Sequence, residues 1–313
     1  MANSRSIGSV AALLLVFGGC SQGSGSKTVG PFPGVARWFS QYHPPTSNNL
    51  RAVRASGANS VIVAGEGTSI HRSDDAGQNW VQLEHVPFGR GGDIVSMDYY
   101  GANLVAVGSD SKFPASGRAW TAINGVLDFV TPDLDASVAA YRSVDVVSAT
   151  TSYRLRADDV VEKDVSGTVT LLPALPPGSW NSIDFLGTTD VGYAAGDGGL
   201  IAKFDLGVWT PQTTPAAAPM YDLRKILFST STQGFACGSL ATILRTTNGG
   251  TTWTSENYAS PGVTFNSLHF PVSATNGWIV GDGGSIVFTV DGGDNWAAQI
   301  CPTMEDLHDV YFA

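Results

Sequence analysis

The chain has 313 residues, 43% of them hydrophobic and 14% charged, enough to bury a substantial core as one large all-β domain or two ordinary ones. Acidic residues outnumber basic ones 27 to 17 for a formal net charge of −10, and no run of Lys or Arg rises above that background, which excludes a nucleic-acid surface. The 37 Gly and 16 Pro favour many short turns over long helices.

Taken in chain order, residues 1–19 read as an export signal: Arg5, then an apolar run from Ile7 to Phe17 that is too short to span a bilayer as a helix. Gly18 and Gly19 before Cys20 resemble the lipobox of bacterial lipoproteins, with Phe17 standing where that family usually has Leu. The resemblance implies a lipidated Cys20, a cell-envelope location and, through Ser21, the outer membrane where the source has two membranes. An ordinary secretory signal with an incidental cysteine is the alternative. Residues 20–34 then hold the lipidated Cys and a flexible tether, "SQGSGSKTVGPFPG", which cannot bury a core. The folded domain is expected over 35–313. With Cys20 lipidated, Cys237 and Cys301 are left; an oxidising envelope admits a disulfide between them, while Cys237 in "GFACG" also reads as a small buried hydrophobe.

From residue 50 onward the chain repeats. "LRAVRA" at Leu50, "IVSMDY" at Ile94, "YRSVDV" at Tyr141, "WNSIDF" at Trp180, "LRKILF" at Leu223, "FNSLHF" at Phe265 and "LHDVYF" at Leu307 share one pattern, at spacings of 44, 47, 39, 43, 42 and 42 residues. Each opening except the last is the first strand of a unit, and second strands such as "SVIVAG", "VGYAAG" and "GWIVG" close on Gly. This is the period of a four-stranded propeller blade. A closed ring must join its last blade to its first, and "PGVARWFSQ" places Trp38 fifteen residues before Val53, as Trp253 stands before Leu268. The expectation is therefore a seven-bladed β-propeller whose last blade is shared by the two ends, with 307–312 as its inner strand. Six blades plus a stray strand is the alternative.

Three segments, 65–80, 238–253 and 281–296, match position for position, Gly to Trp. Their second halves, "SDDAGQNW", "TTNGGTTW" and "TVDGGDNW", resemble the Asp box of bacterial neuraminidase repeats. Ser73, Asp75, Gly77 and Trp80, then Thr246, Asn248, Gly250 and Trp253, then Thr289, Asp291, Gly293 and Trp296 fill its positions. An acceptor side chain can hold the amides of its own turn, Gly supplies a positive φ and Trp packs between blades, so the boxes are expected to be structural and to bind no metal.

Function is expected at the opposite face, near the channel. The second residue of each opening reads Arg51, Val95, Arg142, Asn181, Arg224, Asn266 and His308. Three arginines on a negatively charged chain suit an anionic group on a partner; the plainer reading is solvated strand ends paired with Asp93, Asp222 and Asp306. A sialidase would need an early "RIP" motif, an arginine triad and a Tyr nucleophile supported by Glu. No "RIP" occurs, although the three arginines can imitate the triad. No phosphate-cradling loop, metal-spaced cluster or nucleophile elbow is present, and no cofactor is expected. The repeats are more similar to those of the photosystem II assembly and stability factor family, on the run "GWIVGDGGSIVFTVDGGDNW". That resemblance implies a non-catalytic scaffold, monomeric as a domain, that binds a membrane or envelope protein in part through an arginine-rich patch. A carbohydrate-active propeller is the alternative.

Overall fold

The repeat is realised as six four-stranded antiparallel sheets, each a meander in chain order. The computed structural model describes residues 49–312 except 58, 84–91, 102, 111–115, 124–125, 131–138, 188, 216–220, 257, 259–261, 272–274 and 302. The expected signal, Cys20, the tether and Trp38 lie outside the described residues. The sheets occupy 50–82, 92–130, 141–171, 180–211, 223–256 and 265–299 and are numbered here as blades 1 to 6. Their first strands, Leu50–Ala55, Gly92–Tyr100, Tyr141–Val146, Trp180–Phe185, Leu223–Phe228 and Phe265–His269, are the quoted openings. The fold is an all-β propeller.

Every first strand carries the same irregularity. The register with the second strand skips one residue, and that residue is the second of the opening: Arg51, Val95, Arg142, Asn181, Arg224 and Asn266. A bulge of this kind re-aims the extra side chain out of the ladder. It also explains the closing glycines. A Cβ on Gly65, Gly196, Gly238 or Gly281 would stand 1.9 to 2.1 Å from the carbonyl oxygen of the residue before the opening. Only a residue without a side chain admits that approach.

Blades are joined by side chains of the openings. The third-position hydroxyls of Ser96, Ser143 and Ser182 accept from Val144, Ile183 and Ile226 N–H of the next blade, at 3.3 Å each. The fifth-position carboxylates of Asp98, Asp145 and Asp184 accept from Val146, Phe185 and Phe228 N–H at 2.7, 2.5 and 2.9 Å. Sixth-position aromatics stack on the second strand of the preceding blade: Phe185 on Tyr153 at 3.6 Å, Phe228 on Tyr193 at 3.7 Å and Phe270 on Phe235 at 4.3 Å. Cys237 is buried within this packing and, like Cys301, is a free thiol.

Six blades is the smaller of the two counts that the repeat allows, and no seventh four-stranded sheet is described. Residues 307–312 form no ladder, since no described strand runs along their outer side. They nonetheless take a seventh place between blades 6 and 1 by the same junction rules. His269 Nδ1 accepts from Phe312 N–H at 3.2 Å, Asp309 accepts from Val53 N–H at 3.1 Å, and Phe312 lies 4.3 Å from the Trp278 ring. Leu307, Val310 and Phe312 are buried. Arg54, itself buried, bonds Asp309 at 2.7 Å and Asp98 at 3.2 Å and so ties the seventh place to blade 2.

Candidate functional site

Arg51, Arg142, Asn181, Arg224, Asn266 and His308 line one solvent-open cavity, together with Val95, Arg54, Asp309, Lys225 and the third-position serines. The seven openings thus converge on the mouth of the central channel, and the bulge supplies the direction. Spacing alone predicts the ring, but not the bulge that aims it.

The ring is less uniform than its sequence implies. Arg51 donates to Glu66 at 2.6 Å, and Asn49 donates to both oxygens of the same carboxylate at 3.1 Å. Burial opposes ionisation of Glu66, but these bonds prevail and hold it below the usual carboxylate value. Arg142 donates to Asp159 at 3.3 Å and to the Trp180 carbonyl at 2.7 Å. Asn181 bonds Asp197 at 2.6 Å and the Leu223 carbonyl at 2.9 Å, and Asn266 bonds Asp282 at 2.8 Å and the Leu307 carbonyl at 3.0 Å. One rule runs through these contacts. The second-position side chain takes an acid from the loop after the second strand of its own blade and, in three blades, the first carbonyl of the next opening.

Blade 5 departs from the rule. The turn after its closing Gly238 is Ser239–Ala241, where blades 4 and 6 have Asp197–Gly199 and Asp282–Gly284. With no acid in that turn, Arg224 is exposed and makes no hydrogen bond or ion pair among the described residues. Asp222, which precedes the opening, is engaged elsewhere: it accepts from Gly198 N–H at 3.1 Å and donates its own N–H to Ser239 at 2.8 Å. Asp93 and Asp306 accept from Gly67 and Gly283 N–H in the same way. None of the three aspartates neutralises a mouth arginine, contrary to the plainer expectation.

Lys225 follows Arg224 at the third position, where blades 2, 3, 4 and 6 carry Ser; it lines the same cavity and has no carboxylate within ion-pair distance among the described residues. Asp145 and Asp184 are near enough to one another and to Lys225 to interact. Burial, then the charge of Asp184, raises Asp145, and burial raises Asp184 to about 7 against the pull of Phe228 N–H and Lys225. Burial, then the Arg51 charge, lowers His308, so it is neutral at pH 7.

The Asp boxes lie at the far ends of the strands. Their loops bond the turns between first and second strands, as Ala76 N–H does to Asn59 and Gly249 N–H to Thr232, both at 2.9 Å. In each, the Ser73, Thr246 or Thr289 oxygen accepts from Gly77, Gly250 or Gly293 N–H at 2.8 to 2.9 Å. These glycines have φ of 83°, 82° and 88°, values a side chain would strain. The acceptor side chains of Asp75, Asn248 and Asp291 take Asn79, Thr252 and Asn295 N–H at 2.8 to 3.0 Å. Bonds from the Asn79 backbone and then its amide hold Asp75 down to about 2. Trp253 and Trp296 pack against Phe228 and Phe270 of their own blades and belong to the clusters that hold Tyr193 and Phe235 of their neighbours. Trp80 packs against the blade 1 cluster of Leu50, Val53, Ala55, Val61 and Val63. Among the described residues no group of His, Cys, Asp and Glu is placed to hold a metal ion.

Tyr141 donates to Glu162 at 2.8 Å, a pairing that a sialidase mechanism would require. Both residues are buried inside blade 3, away from the mouth, and burial raises the phenol. A nucleophile needs the reverse.

A family model described as "Photosynthesis system II assembly factor YCF48" matches residues 180–302, blades 4 to 6. The photosystem II stability/assembly factor HCF136 of Arabidopsis thaliana is 35% identical over 69 residues, 20% of this chain and 17% of that protein, so the match spans about a sixth of the relative's length. Among solved structures, YCF48 bound to D1 peptide superposes with TM-score 0.64 at 14% identity, covering 84% of this chain and 86% of that one. YCF48 from Cyanidioschyzon merolae gives 0.62 at 13% identity over 84% and 88%, and the WD40 propeller domain of Doa1 gives 0.63 at 10% over 84% and 85%. At such identities the superpositions establish the propeller fold.

Proposed function

We propose that the protein is a non-catalytic binding and assembly scaffold that presents the channel mouth to a membrane or envelope protein partner. The observation that carries this reading is the convergence of the seven second-position side chains on one polar, solvent-open cavity whose neutralisation is incomplete. The similarity to photosystem II assembly factors, one of them solved with a D1 peptide, supports a protein ligand over a sugar. Arg51, Arg142, Arg224, Asn181, Asn266 and His308 are the partner-facing residues in this reading. Lipid on Cys20 anchors a monomeric propeller at the cell envelope, on the outer membrane where there are two. Neither a metal nor a cofactor is required.

The test is affinity recovery from detergent-solubilised envelope, using the full chain and a variant with Arg51, Arg142 and Arg224 all changed to Ala. The wild type should recover a membrane or envelope protein, the variant should not, and recovery should weaken as salt is raised. Recovery of no protein by the wild type, or release of product from sialosides that the variant cannot match, overturns the scaffold reading. The anchor is tested alongside: a fatty-acid analogue should label the wild type and not Cys20→Ala, which should leave the membrane fraction.

A further inference from the structure

The mouth holds seven cationic or amide side chains, yet most are already committed. The Arg51 charge is met by Glu66, Arg142 by Asp159, and Arg54 by Asp309 and Asp98. Asn181 and Asn266 each spend their amide on an aspartate and a carbonyl. What is left is a guanidinium and an ammonium on consecutive residues of one opening, Arg224 without a described side-chain partner and Lys225 in no ion pair among the described residues, although the buried Asp184, Asp145 and Asp309 feel its charge.

The same blade carries a second departure from the repeat. Leu240 sits in its turn at φ 57°, where Gly198 and Gly283 have 65° and 61° in blades 4 and 6. A leucine in the left-handed region is strained, and this one is 58% exposed. Its turn bonds directly to the start of the opening, through Ser239 N–H to the Asp222 carbonyl at 2.9 Å. Blade 5 thus places a strained, solvent-facing leucine in the turn bonded to the start of the opening that carries Arg224 and Lys225.

We propose that, within this partner-facing ring, Arg224 and Lys225 form a binding site for a single carboxylate of a partner polypeptide, with Leu240 as an apolar contact nearby, while Arg51 and Arg142 bring charges already met by Glu66 and Asp159. The partner half of this proposal rests on the scaffold reading; the site itself does not. A fork of guanidinium donors beside a point charge suits a carboxylate. A dianion suits it less, because Asp309 lines the same cavity and Asp145 and Asp184 lie close enough to interact with Lys225. A free chain terminus and an Asp or Glu side chain supply the same chemistry, and only experiment separates them.

The test is an NMR titration of the isotopically labelled full chain with four probes: N-acetylalanine, its amide, N-acetylaspartate methylamide and inorganic phosphate. At least one of the two carboxylates should give saturable shifts of the Arg224 side chain, the amide should give none, and phosphate should bind more weakly. Which carboxylate binds better identifies terminus or side chain. Arg224→Gln with Lys225→Gln should weaken binding about tenfold or more, the loss expected for charge-assisted bonds. Lys203→Gln, which removes a cation paired with Asp205 outside the cavity, should leave it within about twofold. Equal response to the amide, tighter binding of phosphate, or undiminished binding by the Arg224 and Lys225 variant overturns the proposal. If the Arg224 and Lys225 variant still recovers a partner from envelope as well as the wild type, this site fails while the scaffold reading stands. Probe binding with no partner recovered gives the reverse.

Discussion

Blades 4 and 6 share almost every local feature with blade 5: the bulge at the second opening residue, the closing glycine pressed against a carbonyl, and an aromatic sixth residue stacked on the preceding blade. They differ at the second, third and fifth positions of the opening and in one short turn. Where blades 4 and 6 place an aspartate that captures the bulged asparagine, blade 5 places Ser239, and its bulged arginine stays uncommitted. In the proposed reading, a blade that satisfies its own mouth is scaffold, and the charge that blade 5 leaves free is what a ligand would meet. The signal for a site is then a missing partner rather than an added residue.

The largest expected effect comes from removing residues 306–313, which asks whether the locked state of blade 6 depends on the seventh place. The deletion strips the Leu307 carbonyl from Asn266, uncovers Leu307's pocket along with those of Val310 and Phe312, and leaves Arg54 with Asp98 alone. Burial of three such side chains and the half-broken ion pair together predict a loss of about 5 kcal/mol or more in denaturant unfolding. An unchanged midpoint would show that the segment merely rests on the ring.

A smaller effect separates blades 4 and 5 at the fifth position, Asp184 in one and Leu227 in the other. Burial holds the Asp184 carboxyl up to about 7. Its folded value lies above the unfolded one near 4, so the folded state keeps a proton that the unfolded chain has lost. Stability from this group is present at low pH, falls as pH rises from about 4 through 7, and stays reduced above. Asp184→Asn keeps an oxygen to accept from Phe228 N–H and removes the charge. Its Tm should exceed that of wild type by a few degrees at pH 8, and the gap should close by pH 5. A gap independent of pH would assign the effect to packing.

Much of this arrangement is legible in the chain. The spacing of the openings from Leu50 to Phe265 gives the blades, and Ser/Thr, Asp/Asn, Gly and Trp at fixed offsets give the three far-side turns, because those residues act within eight positions of one another. The ring of second-position residues is legible too. Less so is its state of charge. Pairing of Arg51 with Glu66 or of Asn181 with Asp197 joins residues 15 or 16 apart, and only the bulge, invisible in the pattern, brings them together. Once it is known, the signal is readable: an acid follows the closing Gly in "GEG", "GDG" and "GDG", and Ser follows it in "GSL". The count of blades is the other shortfall. The seventh opening matches the others in sequence, but strand formation needs a neighbour to pair with, and no described strand runs beside 307–312.

The smallest change to the fold tests the central claim most directly. Ser239→Asp gives blade 5 the acid that blades 4 and 6 already have, at a turn position where the new carboxylate still accepts from Asp222 N–H, so unfolding should shift by less than about 0.5 kcal/mol. Repeating the N-acetylalanine and N-acetylaspartate methylamide titrations on this variant should show binding weakened several-fold, as the new Asp competes for Arg224. Carboxylate binding that is undiminished in Ser239→Asp would mean that the missing acid is not what makes this mouth a site.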